Sequence, residues 1–149
     1  MRSADTEVVF PDMDLLSLLA NLPELVMAHL VSHERVALIV ETGRNRYVQL
    51  LLTERHEVVV ECVSNRYLSG DEELSLGDEL LLLQLGFEPA ESETEPHPNF
   101  WWHPAGHADV MQACALAART LREVFGLGRG SSVTLIERHL TSTVDRHTG

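Results

Sequence analysis

The sequence predicts an α+β fold, an antiparallel sheet with a three-stranded meander flanked by helices, and three observations predict it. Between Arg35 and Leu68, three short apolar runs follow one another: Val36 to Glu41, Tyr47 to Thr53 and Glu57 to Cys62. In the second, Val48, Leu50 and Leu52 alternate with Tyr47, Gln49, Leu51 and Thr53; in the third, Val58, Val60 and Cys62 alternate with Glu57, Val59 and Glu61. That period of two belongs to a pleated strand, and a face carrying two carboxylates must be partly wet. The links are short: Gly43-Arg44-Asn45 tolerates positive φ, and Glu54-Arg55 suits a tight hairpin. Both flanks of this stretch switch to helical spacing. A chain of 149 residues fits one domain with a real core. The expected organisation is a flexible arm over 1–11, a single domain over 12–137 and a polar tail over 138–149.

Taken in order, Met1 to Phe10 has no strong period and reads as a loose or partly strand-like arm. Asp12 or Asp14 can cap a helix whose stripe is Leu15, Leu18, Leu19 and Leu22. Pro23 then either kinks it or begins a second short helix over Leu22 to Val31. After the meander, Ser75-x-x-Asp78 is a capping signature before Leu80, Leu81, Leu82, Leu83 and Leu85, with Gly86 as the stop. A helix apolar nearly all round must be covered on most sides, by packing between the sheet and another helix or by a subunit contact. Phe87 to Pro98 is an acidic, Pro-rich loop, and Asn99 to His103 a short aromatic strand. On such a strand the two tryptophans face opposite ways, one toward the core and one available for recognition. The last helix is expected from about His107 to Phe125, with Val110, Cys114, Ala117, Leu121 and Val124 on one face, and a final strand over Ser132 to Glu137.

Composition narrows the function. A net charge of −12 opposes binding to a phosphate backbone, so nucleic acid is not an expected partner. No apolar run approaches the roughly 20 residues of a membrane span, and the start turns acidic before a stretch of signal-peptide length, so no membrane association and a cytoplasmic location are expected. All 11 basic residues are arginine, which we read as codon usage. None falls between Arg66 and Arg119, where acidic residues accumulate as a solvated face able to steer a basic partner. Cys62 and Cys114 fall within apolar patterns and read as reduced core residues.

Catalytic motifs are weak. His103-x-x-x-His107, with His97 nearby, has the spacing of a zinc pair, but a proline intervenes and no third ligand pattern accompanies it. Gly126-Leu127-Gly128-Arg129-Gly130 follows a helix and lacks the lysine of a phosphate loop. The acidic residues cluster where nothing would raise a carboxyl pKa. No active site, catalytic residue, metal or cofactor is expected.

Several short blocks together resemble the TY-Chap domain family, which groups actinobacterial proteins with YbjN-like proteins and type III secretion chaperones. These are Arg46-Tyr47-Val48-Gln49, Val63-Ser64-Asn65-Arg66-Tyr67-Leu68, Leu85-Gly86-Phe87, Asn99-Phe100-Trp101-Trp102 and Thr120-Leu121-Arg122-Glu123-Val124-Phe125-Gly126, spread over roughly Leu15 to Glu137. The resemblance implies a type III secretion chaperone-like or YbjN-like fold and a non-enzymatic chaperone or adaptor that binds an unidentified peptide or protein client. Secretion chaperones of this kind are often homodimers and YbjN-like relatives need not be, so a homodimer stays open. Tyr47, Gln49, Asn65, Arg66, Trp101 and Trp102 are the candidate peptide-binding residues, because they place polar or aromatic groups at strand positions opposite the apolar face. Pro23 and the acidic loop depart from the family pattern. The alternative is an immunity or antitoxin-like protein whose acidic face blocks a basic partner.

Overall fold

The alternation of the central stretch becomes a sheet in the computed structural model, which describes residues 6–32, 34–53, 55, 57–90, 98–104 and 109–140. The elements are β1 (Thr6–Val9), β2 (Met13–Asp14), α1 (Leu15–Val31), β3 (Val36–Glu41), β4 (Tyr47–Leu52), β5 (Val58–Cys62), α2 (Leu76–Leu85), β6 (Phe100–Trp102), α3 (Val110–Arg119) and β7 (Ser132–His139). Every pairing is antiparallel, in the order β1-β7-β3-β4-β5-β6, with β2 also on β7. The meander is therefore the middle of a larger sheet. The segment expected as an arm supplies the edge strand β1, and β7 runs past Glu137 to His139 because both its edges are paired, by β1 and by β3.

One face of the sheet builds the core. Val36, Leu38 and Val40 of β3, Val48, Leu50 and Leu52 of β4, and Val58, Val60 and Cys62 of β5 are all buried there. Against them α1 presents Leu15, Leu18, Leu22, Val26 and Leu30, and α3 presents Ala113, Cys114, Leu116 and Ala117. Both cysteines are free thiols, as their apolar surroundings led us to expect. Burial raises the Cys62 thiol far above its ordinary range and pushes Cys114 up to about 11, so neither is a nucleophile at neutral pH.

Three local features decide or change the sequence expectation, each for a physical reason. Asp14 caps α1 by accepting hydrogen bonds from the Leu16 and Ser17 N–H groups, and the helix runs through Pro23 as one element. Proline forgoes one i→i−4 bond, and buried Leu22 and Val26 on either side hold the backbone helical. Residues 105–108 lie outside the described residues, and α3 begins at Val110 with Asp109 as its cap. Its end, Thr120–Val124, is wound as a π-helix. The largest difference is α2. Ser75 and Asp78 form a reciprocal capping box and Gly86 ends the helix at φ 113°, both as expected, but only Leu82 of its leucines is buried. Leu81 and Leu85 pack partly against the core beside the end of α3, whereas among the described residues Leu76, Leu80 and Leu83 stand exposed.

The β3–β4 turn carries positive φ at Gly43, Arg44 and Asn45, at 92°, 56° and 60°. Arginine seldom adopts that conformation. Here it is held from outside: Arg44 donates to the Asp71 carbonyl, and Arg46 donates to the carbonyls of Glu72 at 3.0 Å and Glu73 at 2.9 Å. The turn thereby fixes the segment that leads into α2.

Candidate functional site

The six residues nominated from the sequence do not form one surface. Tyr47, Gln49 and Trp101 lie on the sheet face away from α1 and α3. Pairing aligns Ile39, Gln49, Glu61 and Trp101 in one row across β3, β4, β5 and β6. Trp102 pairs with Val60, whose side chain points into the core, and packs against the core from its edge. Trp102 is thus the anchoring tryptophan and Trp101, stacked on His103 at 5.3 Å between ring centres, the outward one. Asn65 and Arg66 belong to neither face, because the chain leaves β5 and enters a short 3₁₀ turn, Asn65–Tyr67.

On the outer face the polar groups satisfy one another. Asn99 is 5% exposed. Its amide nitrogen donates to the Tyr47 hydroxyl and to Glu61, both at 3.3 Å, and its amide oxygen accepts from the Ser64 N–H at 3.1 Å. Gln49 donates to the same Glu61 carboxylate at 3.1 Å, and Ser64 donates to the Pro98 carbonyl at 2.6 Å. Burial raises the Tyr47 phenol above its ordinary value, so it stays a neutral hydrogen-bonding group. This network fastens the returning strand β6 to β4 and β5. Beside it Ala37, Ile39 and Ile136 form a small cluster, already buried, with Tyr47 and Leu51 packed on it. Several described polar groups of this face are thus engaged with one another, while Leu51 and Trp101 stay half-buried.

An exposed apolar surface lies around α2. Leu76, Leu80 and Leu83 recur at i, i+4 and i+7, one stripe along the helix, and are 71%, 51% and 41% exposed. They line a groove of about 460 Å³ together with Ser64, Asn65, Arg66, Pro89, Ala90 and Phe100. Asn65 is a wall residue with a structural duty: its side chain accepts from the Leu74 N–H at 2.6 Å and donates to the Leu74 carbonyl at 3.0 Å, replacing a backbone partner just before α2. On the other side, Glu88 and Trp101 exchange backbone hydrogen bonds of 2.7 and 3.2 Å, which sets the chain through Pro89 and Ala90 against the helix. Such a groove can take apolar side chains, with Glu79 and Arg66 as the charged groups of its lining.

Of the six residues nominated from the sequence, Asn65 and Arg66 line this groove, and Leu76, Leu80, Leu83 and Asn99 are not among the six. The signal for the leucines was present: a ten-residue helix apolar on all sides has more apolar surface than one neighbour can cover. Of the histidines, His97 and His107 lie outside the described residues, and the His103 ring nitrogen Nδ1 lies 3.0 Å from the Pro104 carbonyl. Among the described residues no group of three or more ligating side chains is placed to hold a metal ion. Among them, too, no helix is long and apolar enough to cross a membrane.

No curated protein and no solved structure matches the chain. A family model does, described as type III secretion (YopN, CesT) and YbjN peptide-binding chaperone 3, over residues 16–135. That span contains the meander, the α2 groove and α3, and on this match the chain belongs to the TY-Chap3 family of peptide-binding chaperones.

Proposed function

We propose that this chain is a non-enzymatic chaperone or adaptor that holds a client peptide in the groove beside α2. One observation carries the reading: three leucines on one stripe of a well-capped helix stand exposed over a shaped groove. Covering a leucine fully contributes about 1.5–3 kcal/mol, so a client with two or three apolar anchors gains enough to bind. Of the six residues nominated for binding, Asn65 and Arg66 belong to this groove, whereas Tyr47 and Gln49 serve the network around Asn99.

The electrostatics favour a client with basic flanks. Glu79 and Arg66 balance within the lining, Asp78 neighbours it, and the chain as a whole carries −12. A second copy would bring the same acidic surface against itself, while a peptide with lysine or arginine beside its apolar anchors complements it.

Selection from a random peptide library, followed by affinity measurement on the chosen peptides, tests this. Peptides with apolar anchors flanked by basic residues are expected. A Leu76→Ser, Leu80→Ser, Leu83→Ser variant should bind them at least tenfold more weakly with its melting temperature unchanged, while a Tyr47→Ala, Trp101→Ala variant, once folded, should bind as the wild type does. Equal binding by the triple variant removes the groove from consideration. A wild type that sediments as a dimer and selects no peptide, beside a monomeric triple variant, would show that a second copy occupies the groove instead.

A further inference from the structure

A second pocket, sharing no lining residue with the α2 groove, lies where the end of α3 meets the start of α1. Its volume is about 470 Å³, and Arg119, Arg122 and Arg129 line it with Glu123, over a floor of Leu15, Leu16, Ala118 and Leu127. Three guanidinium groups against one carboxylate make a locally positive site in a chain of net charge −12. Glu123 is taken up by Arg119, at 2.7 and 3.1 Å. Arg122 and Arg129 make no hydrogen bond or ion pair among the described residues, although Arg122 lies near enough to Glu123 to help hold its carboxyl below the usual range.

The backbone presents these cations from a fixed frame. The Phe125 N–H donates to the Thr120 carbonyl at 3.1 Å, an i→i+5 bond that makes the last turn of the helix a π-turn. Such turns are rare and occur frequently at functional sites. The following turn is pinned at both ends: Ser131 accepts from the Gly128 N–H through its hydroxyl at 2.9 Å, and the Leu15 N–H donates to the Ser131 carbonyl at 2.9 Å. Gly126 and Gly130, at φ 73° and 88°, provide the bends that leave Arg129 at the pocket mouth. The glycine-rich segment that fails as a phosphate loop thus has another use.

We infer that this pocket binds an organic oxyanion, a carboxylate or phosphate head on a short apolar body, with Arg122 and Arg129 clamping the head and Leu16 and Leu127 covering the body. Guanidinium forks match both heads in two-point geometry, and the apolar floor adds what a free inorganic ion could not use. The inference stands independently of the α2 groove.

Titration of the ¹⁵N-labelled full chain with hexanoate, hexyl phosphate and neutral hexanol tests it. At least one of the two anions should shift the amide signals of Leu127, Gly128 and Arg129 saturably, while hexanol should not. Whichever anion saturates at lower concentration identifies the head. An Arg122→Ala, Arg129→Ala variant, with Arg122→Gln and Arg129→Gln singly as folding-safe alternatives, should weaken that binding by about tenfold. Equal shifts with hexanol, no saturable shift with either anion, or unchanged affinity in the arginine variants would overturn it.

Discussion

The outer face of the sheet and the groove beside α2 are built from similar residues and come out opposite. On the sheet, Tyr47, Gln49, Glu61, Ser64 and Asn99 exchange hydrogen bonds with one another, and Ile39 and Ile136 are buried among their neighbours. On α2, Leu76, Leu80 and Leu83 remain exposed although the helix is capped at both ends. Polar character at a strand position can thus serve the strand's own neighbours, as Tyr47 and Gln49 do here. Apolar area left over after folding is the better guide.

Two adjacent leucines give the largest test of that contrast. Leu82→Ala removes a side chain that is 0% exposed and should cost about 2–5 kcal/mol in urea unfolding. Leu83→Ala should change stability by no more than about 0.5 kcal/mol while lowering peptide affinity. Similar losses of stability in both would mean that α2 is covered after all.

Next comes Asn99→Ala. It leaves the Ser64 N–H and the Tyr47 hydroxyl without their partner in a buried site, and about 2 kcal/mol of stability should be lost. Peptide affinity, measured well below the melting temperature, should stay the same. A variant that keeps its stability but loses the peptide would reverse the roles of the two regions.

Ser75→Ala breaks the capping box and should cost about 1 kcal/mol, with amide exchange speeding up first in the opening turn of α2. No change in exchange there would show that the groove, not the cap, holds that turn.

The smallest effect concerns pH and belongs wholly to the scaffold. Glu34 lies 3.0 Å from the His29 ring, accepts from the Ser32 hydroxyl at 2.9 Å and sits near His139. The His29 contact, then the Ser32 bond, hold its carboxyl below the ordinary value of 4.5. A depressed folded value means stability that is fully present above pH 4.5 and lost as the pH falls through the folded value. Glu34 is partly exposed, so solvent screening keeps the contribution small. Glu34→Gln should flatten the acid limb of the stability curve slightly without touching peptide affinity, and an unchanged limb would dismiss the contact as a stabilising one.

Much of this was legible in the chain. The period of two in β4 and β5, the Ser75–Asp78 box and the Gly86 stop are local patterns, and each appears where the sequence puts it. The blocks from Arg46 to Gly126 carried the family as well. Illegible were the facts that depend on distant partners. Which tryptophan turns inward follows from the pairing of Trp102 with Val60, not from the two residues themselves. Asn99 gave no sign of its duty, since its partners come from β4, β5 and the turn after β5.

By itself the sequence determined the three strands of the meander with their apolar faces and α2 with its caps, because those follow from the period of the side chains and the conformations each residue permits over a few neighbours. Only the tertiary structure decided that β7 joins β1 to β3 and that α2 keeps three leucines outside. Strand order and coverage are set by competition among all surfaces of the chain for the same neighbours, and no local window of residues contains that competition.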